Sequence, residues 1–279
     1  MLAHLALTKP RIIELLLVTP VPTMFLAAQG LPTITQTVAV LIGGALSAGG
    51  ANTLNSVYDR DIDAQMERTG HRPAAMGTVS VRAGIVQGVV LSVMSAAVLL
   101  WLANALAALL ALVAIAVYVF GYTMWLKRRT PQNIVWGGIA GCMPVLIAWA
   151  TVTGGLALAP FCLFLVVFFW TPPHYWPLSM KYRDDYAAAG VPMAPVVRTD
   201  VQVTRDIVIY TWAMVLSSLT LIPLGPMGPV YSVTAVVAGA VFLVMSYRFK
   251  ALAVAGTTDL DGPAMRLFHW SITYLSLLF

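Results

Sequence analysis

Asn55, Asp59 and Asp63 recur every fourth residue in the stretch NTLNSVYDRDIDAQMERTGHRP, Asn52 to Pro73. On a helix that spacing stacks an amide and two carboxylates on one face and turns Asp61 away from it. Two carboxylates and an amide oxygen suit a hard divalent cation, above all Mg²⁺. That ion takes one or two protein carboxylates and completes its shell with water and phosphate oxygens. Arg68 and Arg72 follow closely, and their guanidinium forks match phosphate oxygens. The chemistry this permits is metal-assisted handling of a phosphorylated substrate. A solvated, salt-bridged helix end has the same spacing and is the plain alternative. A second cluster bears on that alternative: TPPHYWPLSMKYRDDYAAAGVP carries Lys181, Asp184 and Asp185, a possible second grip on metal and diphosphate.

The elements that must position these groups are apolar. Of the 279 residues, 59% are hydrophobic and 10% charged, and the mean hydropathy is +0.85, outside the habit of soluble domains. Runs near twenty residues recur, each long enough to cross roughly 30 Å of hydrocarbon. They predict an all-α, polytopic membrane bundle of about nine helices forming a single domain, 1–279. The spans fall near 12–29, 36–57, 79–102, 104–126, 133–153, 157–178, 207–224, 230–247 and 266–279. The last is short, which fits a tilted helix or an incomplete chain. Cys142 and Cys162 lie in separate apolar runs and read as buried small hydrophobes.

Charge is segregated. LPTIT, the break near Asn104, TGGLAL and PLGPMGP hold none. The 16 Lys and Arg residues fall in the N-terminal segment, in the other connections or at the span ends that face them. So does every acid except Glu14, just inside the first span. Positive residues mark the cytoplasmic side, so the N-terminus and the charged loops are expected there. Topology alone does not explain the acids. The clusters follow the second and sixth spans, which predicts two pseudo-repeated four-helix halves facing each other across a site.

The N-x-x-x-D-x-x-x-D pattern of Asn55, Asp59 and Asp63 resembles the signature of the UbiA superfamily of intramembrane prenyltransferases. NSVYDRDIDAQMERTGHRP, LTKPRI, RRTPQNIVWGGIAGCMPVLIAW, TPPHYWPLSMKYRDDYAAAGVPM and RLFHWSITYLSLLF resemble, more narrowly, its haem-farnesylating branch. The adjacency of Asp184 and Asp185 departs from the wider superfamily, where the second motif is spaced, and agrees with that branch. It leaves open which of the two carboxylates faces metal.

The resemblance implies that Mg²⁺ holds farnesyl diphosphate between Asn55, Asp59 and Asp63 on one side and Asp184 and Asp185 on the other. A vinyl group of protohaem IX would take the farnesyl group, in haem A/O biosynthesis for terminal oxidases. The implied partners are those two substrates, the lipid bilayer, and haem A synthase or a terminal-oxidase assembly, with no nucleic acid. Lys127 and Arg128 are further cations for diphosphate or a propionate, and Tyr58 and Tyr122 could face an allylic cation with their rings. His174, beside Pro172 and Pro173 where a helix break is expected, is either an iron or positioning ligand or an interface histidine among Trp170, Tyr175 and Trp176. Two other functions share parts of the pattern: prenylation of an aromatic quinone precursor, and ion-coupled transport. Acids clustered at one end disfavour transport, whose sites lie near the midplane. With no Arg- and Ser-rich leader, a bacterial plasma membrane is expected rather than a mitochondrion.

Overall fold

The computed structural model describes residues 2–225 and 227–279. The side chains of Glu14 and Leu15 are outside that set, so Glu14, the acid expected inside a span, is not among the described side chains. All regular structure among the described residues is helical. Helices α1 (Leu2–Leu7), α2 (Pro10–Leu16) and α3 (Pro20–Ala28) lead into α4 (Ile34–Tyr58) and the short α5 (Arg60–Asp63). Then come α6 (Val81–Leu102) and α7 (Ala105–Ala116), which runs on as a π-helix, Val117–Leu126. The rest comprises α8 (Asn133–Thr153), α9 (Leu158–Lys181), α10 (Arg183–Ala188), α11 (Ala194–Val197), α12 (Asp200–Leu224), α13 (Pro229–Val254) and α14 (Asp261–Leu278).

Seven of these elements are long and apolar enough to cross a membrane, counting α7 with its π-helical extension as one. The expected first span is broken instead into α2 and α3. Pro20 and Pro22 lack the N–H groups that would bond the carbonyls of Leu16 and Val18. The seventh expected span and the last helix start earlier than hydropathy suggests, at Asp200 and Asp261, because their first turns are polar, and α14, where the ninth span was expected, is not among the seven. Thr199 and Gln202 form a reciprocal cap at the start of α12, a signal that hydropathy does not register. Conversely, Pro172, Pro173 and Pro177 do not interrupt α9. Membrane helices tolerate proline when the freed carbonyls find other environments within the bundle. His174 therefore sits inside a continuous helix, not at a break.

The uncharged ends of the helices gather at one side. Asn104 caps α7 through the N–H of Ala107 and donates to the carbonyl of Ala150 at the end of α8, while Gln36 on α4 reaches the carbonyl of Val152. The charged ends gather at the other, joined by Lys127–Asp59, Arg128–Asp61 and Arg183–Asp200 pairs. Helix α4 packs against α6 and α6 against α7, while α9 packs against α12 and α12 against α13. Helices α6 and α13 leave rows of large apolar side chains outward, among them Val86, Val89, Val90 and Val93, and Val233, Val236, Val237 and Val244. In water such rows would be costly, and against hydrocarbon they are not.

This segregation gives a labelling test. Thr69 is buried, with its hydroxyl on the carbonyl of Asp63, so the exposed neighbour His71 is the better reporter. Single cysteines at His71 and Thr130 are expected to react with an impermeant maleimide from one side of the membrane, and one at Gly155 from the other. The native Cys142 and Cys162 are buried and give little background. Labelling of His71 and Gly155 from the same side would overturn the arrangement.

Candidate active site at the charged end of the bundle

Asp59 ends α4 and α5 begins at once, yet the backbone ladder crosses the junction. The N–H of Asp59 donates to the carbonyl of Asn55 (2.9 Å) and that of Asp63 to the carbonyl of Asp59 (2.8 Å). The one-face stripe expected from the spacing is therefore real. Asn55, Asp59 and Asp63 are buried at 3%, 1% and 2% exposure, whereas the side chain of Asp61 is 55% exposed. Arg128 grips Asp61 through two hydrogen bonds of 2.7 Å and holds its carboxyl down at about 2.

Buried carboxylates need compensation, and each has a cation. Arg72 binds both oxygens of Asp63 at 3.0 and 2.9 Å. Lys127 lies 2.5 Å from Asp59 Oδ2, which also accepts from Asn55 Nδ2 at 2.7 Å. Asp59 Oδ1 is different. It is buried without a hydrogen-bond donor, and the guanidinium of Arg128 lies 3.5 Å from it. A buried, unbonded carboxylate oxygen beside a second buried carboxylate is a donor set that fits a hard cation.

Lys9 belongs to this site, although its sequence neighbourhood advertises only a basic N-terminus. Its Nζ donates to Asn55 Oδ1 at 2.7 Å, so the amide oxygen faces Lys9 while the amide nitrogen orients Asp59 and reaches Thr123 Oγ1 at 3.0 Å. Pro10 disfavours the right-handed helical region for its predecessor, and Lys9 takes φ 54°, a left-handed conformation unusual outside glycine. That turn ends α1 and aims the ammonium group inward. Burial, then the nearby charges of Arg72 and Lys127, push its pKa down to about 7. The signal for Lys9 was the basic residue before proline in TKPR, which spacing rules do not flag.

The π-helix explains how α7 delivers several groups at once. Nine residues separate Tyr118 from Lys127, two and a half turns of an α-helix, which would set them on opposite faces. Closing i→i+5 bonds, as Lys127 N–H does to the carbonyl of Tyr122, brings the same face round every four to five residues. Tyr118, Tyr122, Thr123 and Lys127 thus come together. The rings of Tyr118 and Tyr122 stack at 5.6 Å, and a Cβ on Gly137 would lie 2.3 Å from the Tyr122 ring, so glycine there lets α8 approach. The face of Tyr58 is taken by the Arg128 guanidinium, 4.9 Å from the ring centroid.

The second cluster stands apart from the first. Among the described residues no three Asp, Glu, His or Cys side chains converge enough to hold one ion together. Asp184 is exposed and Asp185 half-buried in the first turn of α10. Arg68 spans the gap: it donates to Tyr186 Oη at 3.3 Å and lies over the Tyr182 ring at 5.2 Å. Tyr186 in turn meets Tyr175 Oη at 2.9 Å. Arg183 pairs with Asp200 on α12, and exposed Lys181 lies 5.8 Å above the Tyr182 ring.

His174 is sandwiched between Trp170, at 4.1 Å, and Phe268 of α14, at 4.8 Å. Its Nδ1 lies 2.7 Å from Ser271 Oγ. The Ser271 hydroxyl donates to the carbonyl of Phe268 at 2.6 Å, so its oxygen accepts from Nδ1–H and Nε2 keeps the free lone pair.

The family model for the "UbiA prenyltransferase family" matches residues 16–272. Two relatives named protoheme IX farnesyltransferase, from Streptomyces avermitilis and Streptomyces coelicolor, are 56% and 54% identical over 277 residues. The matches cover 99% of this chain and 91% and 88% of theirs. A UbiA homologue from Archaeoglobus fulgidus, solved bound to DMAPP and Mg²⁺, superposes with a TM-score of 0.70 at 16% identity, covering 99% of this chain and 98% of that one. A digeranylgeranylglyceryl phosphate synthase reaches 0.76 at 14% identity, with the same coverage. The resemblance first seen around Asn55, Asp59 and Asp63 thus extends through sequence and fold alike: this chain is a membrane-spanning member of the UbiA prenyltransferase family.

Proposed function

We propose that the protein transfers the farnesyl group of farnesyl diphosphate to a vinyl group of protohaem IX, giving haem O and diphosphate. The observation that carries this reading is the near-full-length identity with relatives that bear that activity in their name. The site's chemistry agrees with it. Asp59 and Asp63 would hold Mg²⁺, with Asp184 or Asp185 as the second grip. When bound, the ion would supply Lewis-acid stabilisation of negative charge on the leaving diphosphate.

The chain's own residues account for the rest. Arg72, Lys127, Arg128 and Lys9 neutralise charge as the C1–O bond of the donor breaks and diphosphate departs. The vinyl group attacks the resulting allylic cation and forms the C–C bond. Water then adds to the cation left on the acceptor and loses a proton, giving the hydroxyethylfarnesyl side chain. Tyr118 and Tyr122 flank this path, and the apolar bundle keeps other water from quenching the cation early. The N-terminus would face the cytoplasm from a bacterial plasma membrane, with the charged end supplying the side where both head groups enter.

The test is a product assay, read by mass, with farnesyl diphosphate offered either protohaem or an aromatic quinone precursor. Haem O with the first and no product with the second is expected; the reverse would reassign the acceptor. His174→Ala is expected to weaken protohaem binding about tenfold while leaving donor affinity unchanged, on the reading that the free Nε2 lone pair serves the acceptor. Equal loss for both substrates would make His174 a packing residue.

A further inference from the structure

The site carries a chain of hydroxyls that departure of the leaving group does not use. Arg68 donates to Tyr186 Oη at 3.3 Å, and Tyr186 Oη lies 2.9 Å from Tyr175 Oη on α9. A hydroxyl that accepts from a cation becomes the stronger donor, so the chain is polarised from Arg68 through Tyr186 to Tyr175. Tyr186 is buried at 4% exposure, and its hydroxyl is engaged by both neighbours. Tyr175 is only half-buried. With Tyr186 donating to it, its own proton and second lone pair have no partner among the described residues.

Helix α9 aims that hydroxyl. Successive residues on a helix point about 100° apart, so Tyr175 turns away from the face where His174 meets Ser271 of α14. It turns toward the π-helix, where Tyr118 and Tyr122 stand within its electrostatic reach and Asp59 is nearby. The carboxylates of the first cluster are tied to Lys127 and Arg72. Tyr175 is neutral, and it can accept one proton while donating another.

That ability suits one step of the reaction. Once the vinyl carbon has bonded to the farnesyl group, water must add to the cation on the acceptor and shed a proton. An oxygen newly bonded to that cationic carbon is a strong acid, so it needs an exit for the proton rather than a strong base. Diphosphate, already departed and held beside Arg68 and the cations of the first cluster, is the base at hand.

We propose that Tyr175 carries the proton of the hydration step. A lone pair of the water oxygen forms the C–O bond to the acceptor cation. One water proton passes to Tyr175 Oη as the Tyr175 proton passes to an oxygen of diphosphate, which leaves protonated. Tyr175 begins and ends neutral, and Tyr186 and Arg68 hold its hydroxyl in place. The inference rests on the prenyl-transfer reading and deepens it. Without the relay the cation loses a proton from the neighbouring carbon instead, and the product is an alkene lighter by one water.

The experiment offers farnesyl diphosphate and protohaem to the detergent-solubilised full chain and reads, by mass, the ratio of haem O to its dehydrated counterpart. Tyr175→Phe keeps the ring and is expected to lower that ratio about a hundredfold, the lower end of what a positioned proton-transfer group contributes. Tyr186→Phe leaves Tyr175 in place without its donor and is expected to lower the ratio about three- to tenfold, the value of one hydrogen bond. A role in packing or binding alone would slow both products together, and a folded Tyr175→Phe with the parent ratio would overturn the proposal. Should Tyr175→Phe not fold, the parent ratio in Tyr186→Phe overturns it equally. The unsubstituted protein distinguishes the two levels of the reading. If it forms no haem O, the acceptor assignment falls and this step with it; if it does and the ratio never moves, only the assignment of Tyr175 falls.

Discussion

Asp59→Asn is expected to lower prenyl transfer by roughly 10²–10³-fold, the scale seen when a charge-stabilising group is removed from a dry site. Asn keeps the size but loses the charge that faces both Lys127 and the unbonded side of the site. The substitution also leaves Lys127, 13% exposed, without its carboxylate, and breaking one side of a buried pair is destabilising. Stability must therefore be followed with activity. Pairing Asp59→Asn with Lys127→Met should recover thermal stability in detergent without recovering turnover. Asp61→Asn serves as the control, because Asp61 is exposed and off the stripe, and should change activity less than about fivefold. Were Asp61 essential and Asp59 dispensable, the assignment of the inner face would be wrong.

Lys9→Met should raise the donor KM by about ten- to a hundredfold, the value of a charged hydrogen bond in a buried site. The loss should be smaller for Lys9→Arg, which keeps the charge but places it on a longer side chain. A structural role alone would lower the thermal midpoint and leave the KM of folded protein in place. Steady-state kinetics with varied farnesyl diphosphate separate the two outcomes. If Met and Arg variants both keep the parent KM, the ammonium group serves only to hold Asn55.

The legible parts of this protein were those whose signal is local and periodic. Asn55, Asp59 and Asp63 declared their shared face through spacing, and the structure buries that face while exposing Asp61. The two-sided distribution of loop charge also survived intact. What failed was legibility of backbone departures from the ideal helix. Hydropathy cannot distinguish a span broken by Pro20 and Pro22 from one in which Pro172, Pro173 and Pro177 are absorbed, because the outcome depends on what neighbours offer the freed carbonyls. The π-helix was equally hidden: Val117–Leu126 packs against α4 and α8 in an i→i+5 register that no residue type marks. Lys9 was missed because its partner Asn55 is 46 residues away.

The pairing of each clustered carboxylate with a cation has a consequence for the order of events. On the proposed assignment, a divalent ion arriving alone at Asp59 Oδ1 and Asp63 would have to displace Arg72 and would stand beside Lys127 and Arg128, leaving partly buried positive charges crowded around it. Diphosphate arriving alone draws those cations away and strands two buried carboxylates. Either half-reaction carries a desolvation penalty that the joint arrival avoids, since every charge then exchanges one partner for another. Ion and diphosphate would thereby be thermodynamically linked, each tightening the other by the same factor. If the proposed assignment holds, the same reciprocity would act on departure: diphosphate would leave most readily with its ion, and the Lys127–Asp59 and Arg72–Asp63 salt bridges would close behind them.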